Sequence, residues 1–302
     1  MLFVTGANGE IGIPFLRHLS LLGIPARAAV RSQRAEETLR SALGEKCGAI
    51  VRVDYRDPTA LARAAESCDA IVHLVGIIKE TRSARYEETH EAIARALVTG
   101  FSGAQAPRLI AASIFGADPA SDNRCLASRG RSDAILLESA IPSLILRPPM
   151  ILSAGGPAAR ALYARASGRA LWLGDGASLE QPLDARDFVL ALTTAATRSE
   201  PLTGVFDIAG PECLTQRDLV LRAASLLGTT PRPIHVPLGI ARLLARAAER
   251  FAANPPITEA MLDVLLHHDR VDIAPASRAL DLAPRPLDET LRHVLRAHAS
   301  QL

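Results

Sequence analysis

The sequence has no long apolar run, almost no net charge and no closely spaced cysteine pair. No stretch reaches the roughly 18 apolar residues that a membrane-spanning helix needs, so no membrane span is expected. The 34 Lys and Arg residues against 32 Asp and Glu leave a formal charge of +2. That balance gives no electrostatic basis for a nucleic-acid partner. The four cysteines (Cys47, Cys68, Cys125, Cys213) stand far apart without CxxC spacing and read as reduced thiols. The eight histidines are scattered, and only His267-His268 adjoin. Neighbours on a helix point in different directions, so no metal site is expected. A secretory leader is not expected either, because Met1-Leu2-Phe3-Val4 already reads as the first strand. A cytoplasmic protein follows as the expectation, with a peripheral position at the inner membrane as its variant. Internal repeats and low-complexity segments are also missing.

What is present is an alternation. Met1–Thr5, Ala26–Val30, Ala49–Val53, Ala70–Val75, Arg108–Ser113 and Ile141–Leu146 read as short apolar strands. Between the first five, Ile11–Leu22, Ala35–Leu43, Thr59–Ala65 and Tyr86–Phe101 carry helical periodicity. Strands without polar alternation suit a parallel sheet covered on both faces, and βαβα order predicts a doubly wound α/β fold. Beyond residue 150 glycine and proline punctuate more often and helices predominate. Val205–Ile208 reads as a strand, Thr215 as the N-cap of a helix through Leu227, and Ile240–Phe251 and Ile257–His267 as further helices. The expected division is a domain over 1–150 and a smaller, mostly helical part over 151–302, interleaved with the first.

Thr5-Gly6-Ala7-Asn8-Gly9-Glu10-Ile11-Gly12 places GxxGxxG between the first strand and the first helix. Glycine suits a sharp turn, a backbone that approaches a pyrophosphate, and a helix packed close to its strand. The helix N-terminus then offers N–H groups and a positive dipole end. A Rossmann-type dinucleotide site is the reading, with Gly6, Asn8, Gly9, Glu10, Ile11 and Gly12 against the phosphates; Glu10 is tolerable there only if it points outward. An NAD site would place an acid at the end of the second strand, to hold the ribose 2′-hydroxyl. Here Arg31 stands there, with Arg34 nearby. A guanidinium suits a 2′-phosphate, so NADP(H) is favoured, with NAD(H) as the alternative. Asp54 and Tyr55, ending the third strand, are candidates to meet the adenine, although Asp54 could equally cap the helix near Pro58. Leu74, Val75 and Gly76 end the fourth strand, where ligands lie in such sheets. His73 reads as a packed strand histidine.

TGANGEIG, VHLVG, the Ala112-Ser113 strand end, LRPP and QPLDARD together resemble the short-chain dehydrogenase/reductase superfamily in its extended or atypical branch, the NAD-dependent epimerase/dehydratase-like proteins. Further segments (HLVGIIKE, YEETHEAIARALV, GPECLTQRDLV) are similar to the group around the nucleotide-binding accessory subunit of respiratory complex I and its bacterial relatives. That superfamily uses a Ser or Thr after strand five and a YxxxK pair, in which the lysine lowers the tyrosine's pKa and the tyrosine exchanges a proton. The resemblance puts Ser113 in the serine position, Cys125 in the tyrosine position and Arg129 in the lysine position. Arg129 could still bind the nicotinamide ribose, and Pro148 of Arg147-Pro148-Pro149 falls in the loop near the nicotinamide. A thiol reaches less far than a phenol, and Cys125 reads equally as a small packed residue. Ordinary tyrosine-dependent chemistry is therefore not expected. The resemblance implies either a cofactor-bound accessory, assembly or sensing protein, or a reductase, epimerase or dehydratase with another proton donor.

In the second half, Gln181-Pro182-Leu183 resembles the segment lining the substrate cleft. Arg160 and Arg186 are the basic candidates for a sugar nucleotide, and Asp184 and Asp187 are expected to cap the helix they open. Ile240–Phe251 alternates leucine and alanine with arginine. Its apolar stripe is expected to face a core with the arginines solvated, docking on a larger assembly or a membrane interface being the alternatives.

Overall fold

The computed structural model of the chain describes residues 1–102 and 106–299. One compact unit comprises Met1–Ile77, Ala84–Arg147 and Phe188–Phe206. Its strands are β1 (Leu2–Thr5), β2 (Ala26–Val30), β3 (Ala49–Arg52), β4 (Ala70–His73), β5 (Arg108–Ala112) and β6 (Ser143–Arg147). A further strand, β7 (Gly204–Asp207), joins the edge, its last residue belonging to the second unit. The order across the sheet is β7-β6-β5-β4-β1-β2-β3. The β1–β2, β2–β3, β1–β4, β4–β5 and β5–β6 pairs are all parallel. This is the doubly wound Rossmann arrangement that the alternation predicts, with its reversal between β1 and β4. Every residue of β1 and β4 is buried, which is why neither strand shows polar alternation.

The helices are α1 (Gly12–Leu21), α2 (Gln33–Leu43), α3 (Pro58–Ala64), α4 (Ala92–Gly100) and α5 (Arg124–Leu137). Ser32 caps α2, Asp57 caps α3 and Asn123 caps α5, each accepting from backbone N–H groups of the first turn. Asp57, not Asp54, therefore holds the α3 cap. Phe3, Ile71, Leu97, Leu109 and Ile145 lie in one buried cluster of this unit. Each such side chain contributes roughly 1.5–3 kcal/mol by leaving water.

Several boundaries differ from the sequence expectation for local reasons. The fourth strand ends at His73 rather than Val75. The sixth begins at Ser143 rather than Ile141, because Ser143 Oγ donates back to the Ile141 carbonyl at 2.9 Å. The expected Tyr86–Phe101 helix is interrupted by a π-helical turn at Glu87–Glu91 before α4 begins. One extra residue per turn is invisible to a periodicity count.

The second unit comprises Ile78–Ser83, Pro148–Asp187 and Asp207–Leu302. Helices Pro157–Ser167, Gln216–Leu227 and Leu287–Ala299 bury Leu162, Leu219, Val220 and Leu291 around Trp172. Thr215 caps the middle one by accepting from Asp218 N at 3.0 Å, as expected. Three strand pairs accompany the helices. Ile151–Leu152 pairs with Leu183–Asp184, and Leu179–Glu180 with Leu214–Thr215. Arg169–Leu173 runs parallel to Arg232–Val236, which tolerates Pro233 as a short outer strand. Asp184 caps the helix Ala185–Thr197 by accepting from Arg186 N at 2.7 Å. Asp187 does not; it accepts from Arg285 N at 2.8 Å and pairs with that guanidinium. Among the described residues no helix is long and apolar enough to cross a membrane, and no group of three or more metal-ligating side chains is gathered. Cys68, Cys125 and Cys213 form no disulfide among the described residues, and the side chain of Cys47 lies outside them.

Candidate functional site

The switch between β1 and β4 brings the glycine turn onto the end of β4. Gly6 follows β1 with φ +71°, a backbone region that disfavours side chains. A Cβ there would also meet the Leu74 carbonyl carbon at 3.0 Å. Gly9 N donates to Gly6 O at 2.9 Å and closes the turn. A Cβ on Gly12 would stand 2.5 Å from both the Gly6 and Ala7 carbonyl oxygens, so only glycine lets α1 start this close to the strand. No side chain caps α1 and its first turn carries no acid. Its positive end faces the loop. Asn8 and Ile11 are half-buried, and Glu10 is exposed.

Tyr55 supports this turn rather than lining a surface. It is 2% exposed, its hydroxyl donates to Ala29 O at 2.6 Å and accepts from Gly6 N at 3.1 Å. That makes Tyr55 a brace from the segment after β3 to β2 and the glycine loop. Burial pushes its phenol up to about 12. Arg31 is exposed after β2, its guanidinium carbon 6.0 Å from the Tyr55 ring centre. Asp54 accepts from Arg56 N at 3.0 Å and pairs with its guanidinium, which holds the carboxyl below its usual value.

Beyond β4, Arg129 comes to lie against Gly76. Its Nη1 donates to the carbonyls of Val75 and Ala112, each at 3.3 Å, bridging the ends of β4 and β5. A Cβ on Gly76 would overlap this guanidinium, so glycine here makes room for arginine. One turn before Arg129 on α5, Cys125 is 1% exposed and its thiol donates to Ile77 O at 3.7 Å. Ile77 N in turn donates to His90 Nε2 at 3.2 Å. Ser113 Oγ donates to Asp133 Oδ2 at 2.8 Å, and Arg147 Nε bonds the same oxygen at 2.8 Å. Burial raises the Asp133 carboxyl, with Arg147 opposing.

Sequence reasoning did not single out His90 or Asp133, nor Arg147 as a partner for it. Asp133 had a signal, since it follows Arg129 by four residues and Cys125 by eight on one helical face. His90 had none, because the π turn that buries it breaks the period. Its buried Nδ1 has no hydrogen-bond partner among the described residues, and burial beside Arg129 lowers the ring to about 2. His73 lies in the same region, 2.8 Å from Thr5 Oγ1 and lowered to about 3.

The segment Gln181-Pro182-Leu183 lies in the second unit and is tied to neighbouring backbone there. Gln181 is buried, donates to the carbonyls of Gly210 and Val271 and accepts from Val271 N. Arg186 pairs with Asp184 and Glu289, and Arg160 bonds the Gly155 carbonyl. Pro148 follows β6 as the first residue of that unit's second segment.

A family model described as NAD(P)H-binding matches residues 6–169, which contain the turn, the β4 end and α5. The chain belongs to that NAD(P)H-binding family. It is 23% identical over 258 residues to subunit 9 of the NADH dehydrogenase [ubiquinone] 1 alpha subcomplex of Arabidopsis thaliana mitochondria, covering 83% of this chain. The chain spans only 63% of that relative's length. It is 26% identical to the ceramide reductase of Caulobacter vibrioides, over 78% of this chain and 73% of that protein. In structure it is similar to the UDP-glucuronic acid 4-epimerase of Bacillus cereus, with a TM-score of 0.76 at 15% identity over 100% of this chain and 99% of that one. Complex I subunits thus stand among its sequence relatives, and its fold is that of a dinucleotide-binding epimerase.

Proposed function

We propose that the chain holds NADP(H) on the glycine turn and acts as a cofactor-bound accessory, assembly or sensing protein with little turnover. The observation that carries this reading is the state of Cys125 and Arg129. The thiol is buried against the Ile77 carbonyl, and the guanidinium is engaged by the Val75 and Ala112 carbonyls. When bound, the nicotinamide supplies or accepts hydride. A partner proton must then come from a side chain that reaches the reacting oxygen, and a buried cysteine is short of that reach. Arginine keeps a positive charge beside the ribose position but does not deprotonate to relay a proton.

In this reading the backbone of Gly6–Gly12 and the α1 N-terminus receive the pyrophosphate, while the Arg31 fork takes the 2′-phosphate. Arg129 and the Gly76 backbone orient the nicotinamide ribose. The similarity to complex I subunits supports an accessory role in a larger assembly.

A second reading rests on the bond from Ser113 to Asp133, a buried carboxyl whose raised pKa suits a proton source. The Caulobacter relative named a ceramide reductase adds weight to it. One experiment separates the two. The purified chain is analysed for retained nucleotide by mass spectrometry, and the reduced-nicotinamide absorbance is followed with carbonyl lipids and UDP-sugars. Binding without absorbance change supports the first reading. Turnover that survives Cys125→Ala and disappears in Asp133→Asn supports the second. A folded chain that binds no NADP(H) rejects both.

A further inference from the structure

The helix Leu238–Phe251 in the second unit is amphipathic in the inverted sense. Its buried residues are two alanines, Ala241 and Ala245. Its large side chains face solvent: Ile240 is 52% exposed, Leu243 67%, Leu244 59% and Phe251 79%. At about 100° per residue these four and Ala247 fall in a single sector turned away from the alanines. This overturns the expectation of an apolar stripe facing a core. The inward flank is polar instead, since Arg242 pairs with Asp263 at 2.7 Å and Arg246 with Glu259 at 2.8 Å on the helix Glu259–Leu265.

The preceding strand adds exposed apolar residues of its own. Ile234 pairs with Leu171 across the short parallel ribbon, and both are exposed. Leu238 lies over Gly174 at the end of the partner strand, so the helix starts on that ribbon. Large apolar side chains grouped in one exposed helical sector mark an interaction site.

The charges choose the partner. Of the four arginines from Arg232 to Phe251, Arg242 and Arg246 are held by Asp263 and Glu259, which leaves Arg232 and Arg250 without an ion pair among the described residues. The single acid, Glu249, accepts from Glu259 N and so turns back to its own unit. Arg250 borders the apolar sector, makes no ion pair among the described residues, and no acid lies within that sector. A helix of 14 residues is too short to span a bilayer but long enough to lie in its interface.

We propose that this face seats the protein on an anionic lipid surface. Ile240, Leu243, Leu244 and Phe251 enter the acyl boundary, and Arg250 meets lipid phosphate. The site is independent of the glycine turn, so its success or failure leaves the NADP(H) reading untouched.

The test is flotation of the full chain with phosphatidylcholine vesicles, with and without an anionic phosphatidylglycerol fraction. The wild-type chain floats with the anionic vesicles and is released by salt. Leu243→Ser with Leu244→Ser lowers binding by more than about tenfold, since two buried leucines supply much of the apolar gain. Circular dichroism and NADP(H) binding of that variant report its fold. As a second readout, Phe251→Trp shifts its emission to the blue on adding anionic vesicles, whereas the native Trp172 is already buried. Three results would overturn the proposal. One is a wild-type chain that remains unbound with both vesicle types. Another is binding that the double variant retains. The third is a wild-type dimer that the double variant converts to monomer, which would assign the face to a second copy.

Discussion

The guanidinium of Arg129 rests on Gly76 so closely that a Cβ built there would stand 1.4 Å from Nη2. Gly76→Ala must therefore push Arg129 off the Val75 and Ala112 carbonyls. The obstacle is the far end of a flexible side chain, so folding should survive with a loss of about 1.5–3 kcal/mol, the range for hydrogen bonds to a charged group. NADP(H) affinity should fall by at least about tenfold, the equivalent of 1.4 kcal/mol. Calorimetric titration beside a urea melt checks both. A variant with unchanged affinity would remove Arg129 from the binding surface.

Gly12→Ala meets a different obstacle. Its Cβ would stand 2.5 Å from two backbone oxygens, and neither can rotate away. The start of α1 must move, so a stability loss of about 1–3 kcal/mol is expected together with loss of cofactor binding. Urea unfolding followed by circular dichroism gives the first quantity and nucleotide titration the second.

Tyr55→Phe deletes the hydroxyl that joins Ala29 O to Gly6 N. The half-buried Gly6 N–H then loses its partner, at a cost of about 1 kcal/mol. Native Tyr55 also carries an alkaline signature. Its folded pKa is raised to about 12 from 10.0, so the stability it contributes is full below pH 10.0 and is lost as pH climbs toward 12. Unfolding free energies across that window should fall in the native chain and fall less in Tyr55→Phe.

At the acid end His73 and His90 govern. Both are buried neutral, lowered from 6.5 to about 3 and about 2. A depressed folded pKa stabilises above pH 6.5 and loses that contribution as pH falls, by up to about 1.4 kcal/mol per pH unit for each ring. The melting temperature should thus drop steadily between pH 6.5 and 4. His90→Gln, which keeps an acceptor for Ile77 N, should make the slope shallower. An unchanged slope would mean that His90 is not buried neutral.

Legibility of the sequence differed by kind of feature. The doubly wound sheet was readable because its buried strands are continuous apolar runs, and the glycine turn because only glycine satisfies three steric demands within seven residues. The Tyr55 brace was not, since an aromatic after a strand looks the same whether it meets a ligand or a backbone amide. Asp133 and Arg147 come together only when α5 crosses the end of β6, a tertiary event that no local spacing records. The Ile240–Phe251 stripe was seen, but its direction was not, because periodicity defines a face without saying which way it turns.

Calorimetric titration of the native chain with NADPH and with NADH tests the proposed NADP(H) site and the part Arg31 plays in it. Saturable one-site binding is expected, tighter for NADPH by about tenfold or more for a guanidinium fork on the 2′-phosphate, and equal for the two nucleotides in Arg31→Ala. No binding of either nucleotide to the folded chain, or a preference for NADH, would contradict it.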